Sequence, residues 1–150
     1  MATIQETTPD ELTELASRLR LAIVRTARRL RQQAGTDLSA ALTAALSTVE
    51  RRGPLTPSEL ADIERVKRPT ATRIVARLAE QGLVARTPDP HDRRSSLVSI
   101  TSSGRSLLRR LRGRKNAYLA RRMRELDSAE VATLERAAEV LERMVEGERR

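Results

Sequence analysis

Apolar positions recur along most of this chain at the three- and four-residue steps of a helix. Leu12, Leu15, Leu19, Ile23, Ala27 and Leu30 fall on one helical face. Thr8-Pro9-Asp10-Glu11 opens that helix with an N-cap threonine, a first-turn proline and a glutamate at the capping-box position, and Gly35 ends it. Ser39 caps a second helix with Leu42, Ala45, Leu46 and Val49 inward and Gly53-Pro54 as its stop. Thr56-Pro57-Ser58-Glu59 repeats the capping box, with Leu55 and Leu60 placed for a hydrophobic staple. The third helix so predicted is short, through about Val66. A fourth follows almost at once, with Pro69 in its first turn, Ala71, Ile74, Val75 and Leu78 inward, and Gly82 as its stop. Two short helices joined by a tight turn form a helix-turn-helix pattern.

The period then changes. "LVART" and "SSLVSIT" are short runs rich in β-branched residues that flank "PDPHDRR", whose prolines and aspartates are turn formers. The unit reads as a hairpin with a long loop. Thr101 caps a fifth helix carrying Leu107, Leu108, Leu111, Tyr118, Leu119 and Met123 at helical steps. Asp127-x-x-Glu130 opens a sixth, where Val131, Leu134, Ala138, Leu141 and Val145 run at nearly heptad spacing. The fold class is therefore mainly α with a small β-hairpin wing. The apolar stripes of the first and sixth helices are too long for a small lobe to cover alone, so a partner chain is their natural cover.

Composition narrows the function. At 150 residues the chain fits one domain or two tightly joined lobes. With 29 Lys and Arg against 20 Asp and Glu, its net charge is +9. Such a balance points to a polyanion, with a basic membrane-surface protein and plain solubilising charge as rival readings. There is no cysteine, which excludes disulfides and thiolate metal sites. A single histidine excludes a multi-histidine metal site, and no nucleophile–base pair suggests an enzyme. No cofactor is implied. No apolar run approaches the ~20 residues of a membrane span. "MATIQETTPDE" is acidic and lacks the basic and apolar regions of a signal peptide, so a cytoplasmic protein is expected. Tyr118 is the only aromatic residue, which argues against stacking platforms for single strands and favours duplex DNA.

The fourth helix carries the main anomaly. It begins with Lys67 and Arg68, where the helix dipole favours acidic groups. Phosphates lying against that end, together with free backbone N–H groups, would account for them. Pro69 follows, and Thr70, Thr72, Arg73 and Arg77 point outward. Small hydroxyls with arginines suit a major groove, where Arg bridges guanine O6 and N7 and Thr meets a thymine methyl. An ordinary solvated basic face is the alternative.

The hairpin tip holds Asp89, His91 and Asp92 beside Arg93 and Arg94. As a metal site it offers at most three ligands on one loop, and as an acid/base site it has no pocket. As a DNA-contacting tip, Asp92 pairs with Arg93 or Arg94 and aims the other guanidinium at a narrow minor groove. A plain surface turn remains the third reading. The arginine-rich fifth helix faces solvent or neighbouring acids, for which Glu130, Glu135, Glu139, Glu142 and Glu146 of the sixth are candidates.

Asp89-x-x-Asp92-Arg93-Arg94, a short strand, then Thr101-x-x-Gly104-Arg105 resembles the multiple antibiotic resistance regulator (MarR) family of bacterial transcription regulators. "GPLTPSELA" before "RPTATRIVARLAEQGLV" is similar to that family's paired helices. The likeness covers essentially the whole chain. It implies a single unit over residues 1–150, with a winged helix-turn-helix lobe at 36–101 and a helical dimerisation region at 8–35 and 102–147. It also implies a homodimeric regulator, with repression as the expected mode, on an inverted repeat of double-stranded DNA. Carried over by motif, recognition-helix contacts fall on Pro69, Thr70, Thr72 and Arg73. The wing contact falls on Arg94, with Asp92 orienting it and Arg93 on a phosphate. A small capping residue often precedes the arginine–proline pair in this family; here it is Lys67, which shifts weight from cap to phosphate contact. Many members bind aromatic ligands in a cleft between the dimerisation helices and the DNA-binding lobe, or sense oxidants with cysteine; this chain has no cysteine, and with one aromatic residue its sequence singles out no such pocket. A non-specific architectural nucleic-acid binder and a winged-helix protein adaptor are the competing functions.

Overall fold

The computed structural model describes residues 7–147. The start of the N-terminal stretch that carries the signal-peptide reading lies outside them. The described elements are α1 (Pro9–Ala34), α2 (Ala40–Arg52), α3 (Pro57–Glu64), α4 (Arg68–Glu80), β1 (Val84–Asp89), β2 (Asp92–Ile100), α5 (Ser102–Met123) and α6 (Ser128–Glu146). The local signals account for the boundaries. Thr8, Thr56 and Asp127 each close a reciprocal capping box with a glutamate three residues on. At the first of these the Thr8 backbone N–H, and after it the Thr8 hydroxyl, donate to Glu11 and hold its carboxyl below the usual value. Gly35 takes a left-handed conformation, φ 62°, and stops α1.

One core unites α2, α3, α4, the hairpin and the start of α5. Leu46, Leu60, Leu78, Val75 and Val98 are fully buried in it, with Leu55, Leu83, Val84 and Leu108 around them. Leu55 and Val98 exchange backbone hydrogen bonds (3.1 and 2.8 Å), which ties the segment before α3 to the hairpin. Each fully buried Leu or Val contributes about 1.5–3 kcal/mol of transfer free energy. The inward positions of α2 and α4 expected from the sequence are all buried. Thr48 is the one buried polar side chain among the described residues, and its hydroxyl donates to the Glu64 carboxylate across α2 and α3.

The turn between α3 and α4 is made by Arg65, Val66 and Lys67. The Arg65 N–H donates to the Asp62 carbonyl and the Val66 N–H to the Ala61 carbonyl, at 3.3 and 3.0 Å. This is the helix-ending pattern that usually carries glycine at its left-handed position. Here that position is Arg65, at φ 54° and ψ 43°, the only described non-glycine residue with positive φ. A side chain in that conformation costs about 1 kcal/mol relative to glycine.

Two expectations are corrected. The hairpin does not have a long loop: β1 runs to Asp89 and β2 starts at Asp92, leaving Pro90 and His91 at the tip. The register explains it, because Pro88 faces Ser96 while Asp89 already faces Asp92. Arg93, Arg94 and Ser95 are the excess of β2 over β1, a bulge that bends the strand and strengthens its twist. The α6 glutamates also do not pair with the α5 arginines. Among the described residues the ion pairs are Arg112–Glu50, which reaches α2, and Arg122–Glu125. Those glutamates lie on a helix that buries none of its residues.

Candidate nucleic-acid interface

Helix α4 is held by its inner face and offers its outer one. Ala71, Ile74, Val75 and Leu78 are buried, so the helix has no freedom to roll. Lys67, Arg68, Pro69, Thr70, Thr72, Arg73 and Arg77 are exposed. Thr70, Arg73 and Arg77 share one face by their three- and four-residue steps. The Thr72 hydroxyl donates to the Arg68 carbonyl at 3.0 Å, so its methyl and lone pairs remain for a partner.

The N-terminus of α4 is built differently from those of α1, α3 and α6. Lys67 occupies the N-cap without a side-chain cap bond, and the first turn has no acidic residue. The row of free N–H groups expected there is reduced. Pro69 has none, and the Thr70 N–H donates to the Lys67 carbonyl at 2.9 Å. Of the first turn, the Arg68 N–H is left over. Lys67, Arg68, Arg73 and Arg77 take part in none of the ion pairs found among the described residues.

The wing is anchored to the same core through Leu83, Val84 and Val98. Asp92, Arg93 and Arg94 are exposed beside its tip. The expected carboxylate–guanidinium pair is absent among the described residues. Instead Asp92 Oδ1 accepts from the Arg94 backbone N–H, and Asp89 Oδ1 from the His91 N–H, both at 2.9 Å. These are aspartate turns, in which a short side chain satisfies the backbone two residues on. Asp92 therefore fixes the course of the chain at Arg94 and leaves the guanidinium unpaired. No cluster of metal-binding side chains occurs among the described residues. His91 sits exposed at the turn, its backbone bonded to Asp89.

Two features had no sequence signal. Arg112 Nη2 donates to Glu50 Oε2 at 2.6 Å and to Ser47 Oγ at 3.3 Å, joining α5 to α2. Arg114 Nη1 donates to the Ala34 and Gly35 carbonyls at 2.8 and 3.4 Å, joining α5 to the end of α1. A cavity of about 740 Å³ lies between these ties, lined by Leu30, Ala34, Leu38, Ala44, Ser47 and Leu111 with Arg28, Arg31 and Lys115 also on its walls.

A tight helical pair followed by a twisted hairpin on a shared core, with an uncompensated basic outer face, defines a winged helix-turn-helix DNA-binding protein. The MarR family model matches residues 38–96. An HTH-type transcriptional regulator of Mycobacterium tuberculosis is 38% identical over 138 residues, which is 91% of this chain and 96% of its own. The multiple antibiotic resistance protein MarR of Salmonella typhimurium is 32% identical over 100 residues, 66% of this chain and 69% of its own. A crystallised transcriptional regulator protein from Pseudomonas aeruginosa has a TM-score of 0.84 at 33% identity, covering 92% of this chain and 97% of that one. Apo MarR from E. coli has a TM-score of 0.69 at 27% identity, covering 85% and 96%. The chain belongs to the MarR family: it is a DNA-binding transcription regulator and not an enzyme. No helix among the described residues is long and apolar enough to cross a membrane.

Proposed function

We propose that the protein is a cytoplasmic, homodimeric repressor that reads an inverted repeat in double-stranded DNA. Residues 36–101 would form the lobe that meets DNA, and 8–35 with 102–147 the region that joins two copies. Helix α4 enters the major groove. Arg73 and Arg77 reach base edges there, with Thr70 and Thr72 at thymine methyls, while Lys67 and Arg68 hold phosphates near Pro69. The wing places Arg94 in the minor groove, with Asp92 orienting its backbone and Arg93 on a phosphate. The observation that carries this reading is the α4 N-terminus, where cations stand without cap, acid or ion pair on a helix locked by its buried face.

A second copy is supported by what α1 and α6 leave uncovered. Leu12, Leu15, Leu19 and Ile23 on α1, and Leu134, Met144 and Val145 on α6, are exposed apolar side chains. Two-fold pairing would cover them and set two recognition helices about one helical turn apart, roughly 34–36 Å. The cavity between α1, α2 and α5 supports a small-molecule effector, since it touches both proposed regions.

The test is binding to a duplex that the protein selects from a randomised pool and to a scrambled duplex, across a salt series. A regulator of this kind prefers the selected palindrome by orders of magnitude at every salt concentration. Equal affinity for both duplexes points to a non-specific architectural binder. Absent binding to either points to a protein adaptor.

A further inference from the structure

We propose that Arg65, in the turn between α3 and α4, is a DNA phosphate-binding residue that acts beside Lys67 and Arg68. The proposal rests on the reading of α4 as the recognition helix.

The turn itself raises the question. Arg65 stands at the left-handed position of a helix-ending motif whose hydrogen bonds are made entirely by backbone atoms. No bond of the motif uses its side chain, and glycine would occupy the position with less strain. A strained non-glycine residue that the fold does not need points to work done by its side chain. Arg65 is exposed and takes part in no ion pair found among the described residues. Its neighbour Glu64 is turned away, its carboxylate engaged by the Thr48 hydroxyl of α2. The charge of Arg65 is therefore not spent inside the chain.

Its place fits a phosphate. The turn runs from Arg65 straight into Lys67 and Arg68, so three cations fall within four residues at the N-terminal end of α4. That end also carries the positive pole of the helix dipole and the spare Arg68 N–H. Clustering cations there raises the cost of the free protein, and a duplex backbone alongside removes it. Phosphate contacts of this kind fix the depth and register of a recognition helix without reading sequence.

The closing experiment compares Arg65→Gly, Arg65→Lys and Arg73→Ala with the wild-type protein. Each is titrated with the selected duplex and the scrambled duplex across a salt series, and each is melted. Arg65→Gly removes the charge and relieves the backbone, so it should melt at a higher temperature while binding both duplexes more weakly by a similar factor. Its slope of log K against log salt should be shallower by about 0.9, the value of one phosphate contact. Arg65→Lys, which keeps the charge, should retain the wild-type slope. An Arg65→Gly protein with unchanged slope overturns the proposal. So does one that melts no higher than the wild type, or an Arg65→Lys protein as shallow as Arg65→Gly. A failure of the recognition-helix reading is seen separately, as Arg73→Ala binding the selected duplex like the wild type.

Discussion

Asp92 accepts a 2.9 Å hydrogen bond from the backbone N–H of Arg94, two residues further along the same bulged strand. The bond acts on the peptide and not on the guanidinium, and that distinction can be measured. Asparagine keeps the accepting oxygen and loses the charge. Asp92→Asn should therefore bind DNA at least as tightly as the wild type, with one less negative charge near the phosphates. Asp92→Ala loses the turn bond, worth about 0.5–1.5 kcal/mol, and should bind several-fold more weakly. Fluorescence anisotropy on duplexes with and without an A-tract reads both. Arg94→Ala should lose most of its affinity on the A-tract duplex, where the narrow groove attracts a guanidinium. An Asp92→Asn protein as weak as Asp92→Ala would restore the ion-pair account.

Arg73 lies one turn into α4, exposed above the buried Ile74 and Val75 that keep the helix from shifting. A rigidly presented arginine at a major-groove edge can bond guanine O6 and N7 together. Arg73→Ala should cost about 1–3 kcal/mol on the selected duplex and relax the preference at one base-pair position. Repeating the selection with the variant shows which position relaxes. A uniform loss across all sequences would move Arg73 from base reading to phosphate holding.

Much of this architecture could be read along the chain, because it is local. Capping boxes at Thr8, Thr56 and Asp127 use residues three apart, and the inward stripes of α2 and α4 follow from helical period alone. What escaped depends on pairing across distance or on one backbone angle. Prolines and aspartates favour turns and so predict a long wing loop, but pairing of Asp89 with Asp92 draws Pro88 and both aspartates into the strands and leaves only Pro90 and His91 at the tip. Arg112 meets Glu50 across 62 positions, and nothing in either neighbourhood announces it. The same holds for the α6 glutamates, which complement the α5 arginines in composition and meet none of them in space among the described residues. Arg65 looks like one more basic residue until its φ of 54° sets it apart.

Gly104 shows how closely the wing base is fitted to α5. A Cβ built there would lie 2.3 Å from the Leu83 carbonyl oxygen and 2.8 Å from Ile100 Cγ1. Thr101 binds the same junction, donating to the Gly82 carbonyl at 2.6 Å and accepting from the Gly104 N–H at 3.1 Å. The obstacle is backbone, which cannot rotate away. Gly104→Ala should destabilise the fold by about 1–3 kcal/mol, the usual cost of overpacking. A urea melt followed by far-UV circular dichroism measures it. A variant with an unchanged midpoint would mean that the α4–β1 connection yields easily, and the wing would not be rigidly referenced to α5.

The exposed apolar stripe of α1 gives the most direct test of the second copy. Leu15 and Leu19 lie four residues apart on one face and are 52% and 36% exposed. A solvated monomer would tolerate charge there with little change. In a two-fold interface each substitution occurs twice, and each buried leucine contributes about 1.5–3 kcal/mol. Leu19→Glu should therefore weaken self-association by about 3–6 kcal/mol, a factor on the order of 10²–10⁴. Sedimentation would then find monomers at concentrations where the wild type is dimeric. Binding to the selected palindrome should fall with it, because one recognition helix alone reads half of an inverted repeat. Binding to the scrambled duplex, which depends on charge and not on symmetry, should fall far less. If Leu19→Glu sediments as the wild type does, α1 is not the joining face, and the cover for its leucines must be sought in a partner of another kind.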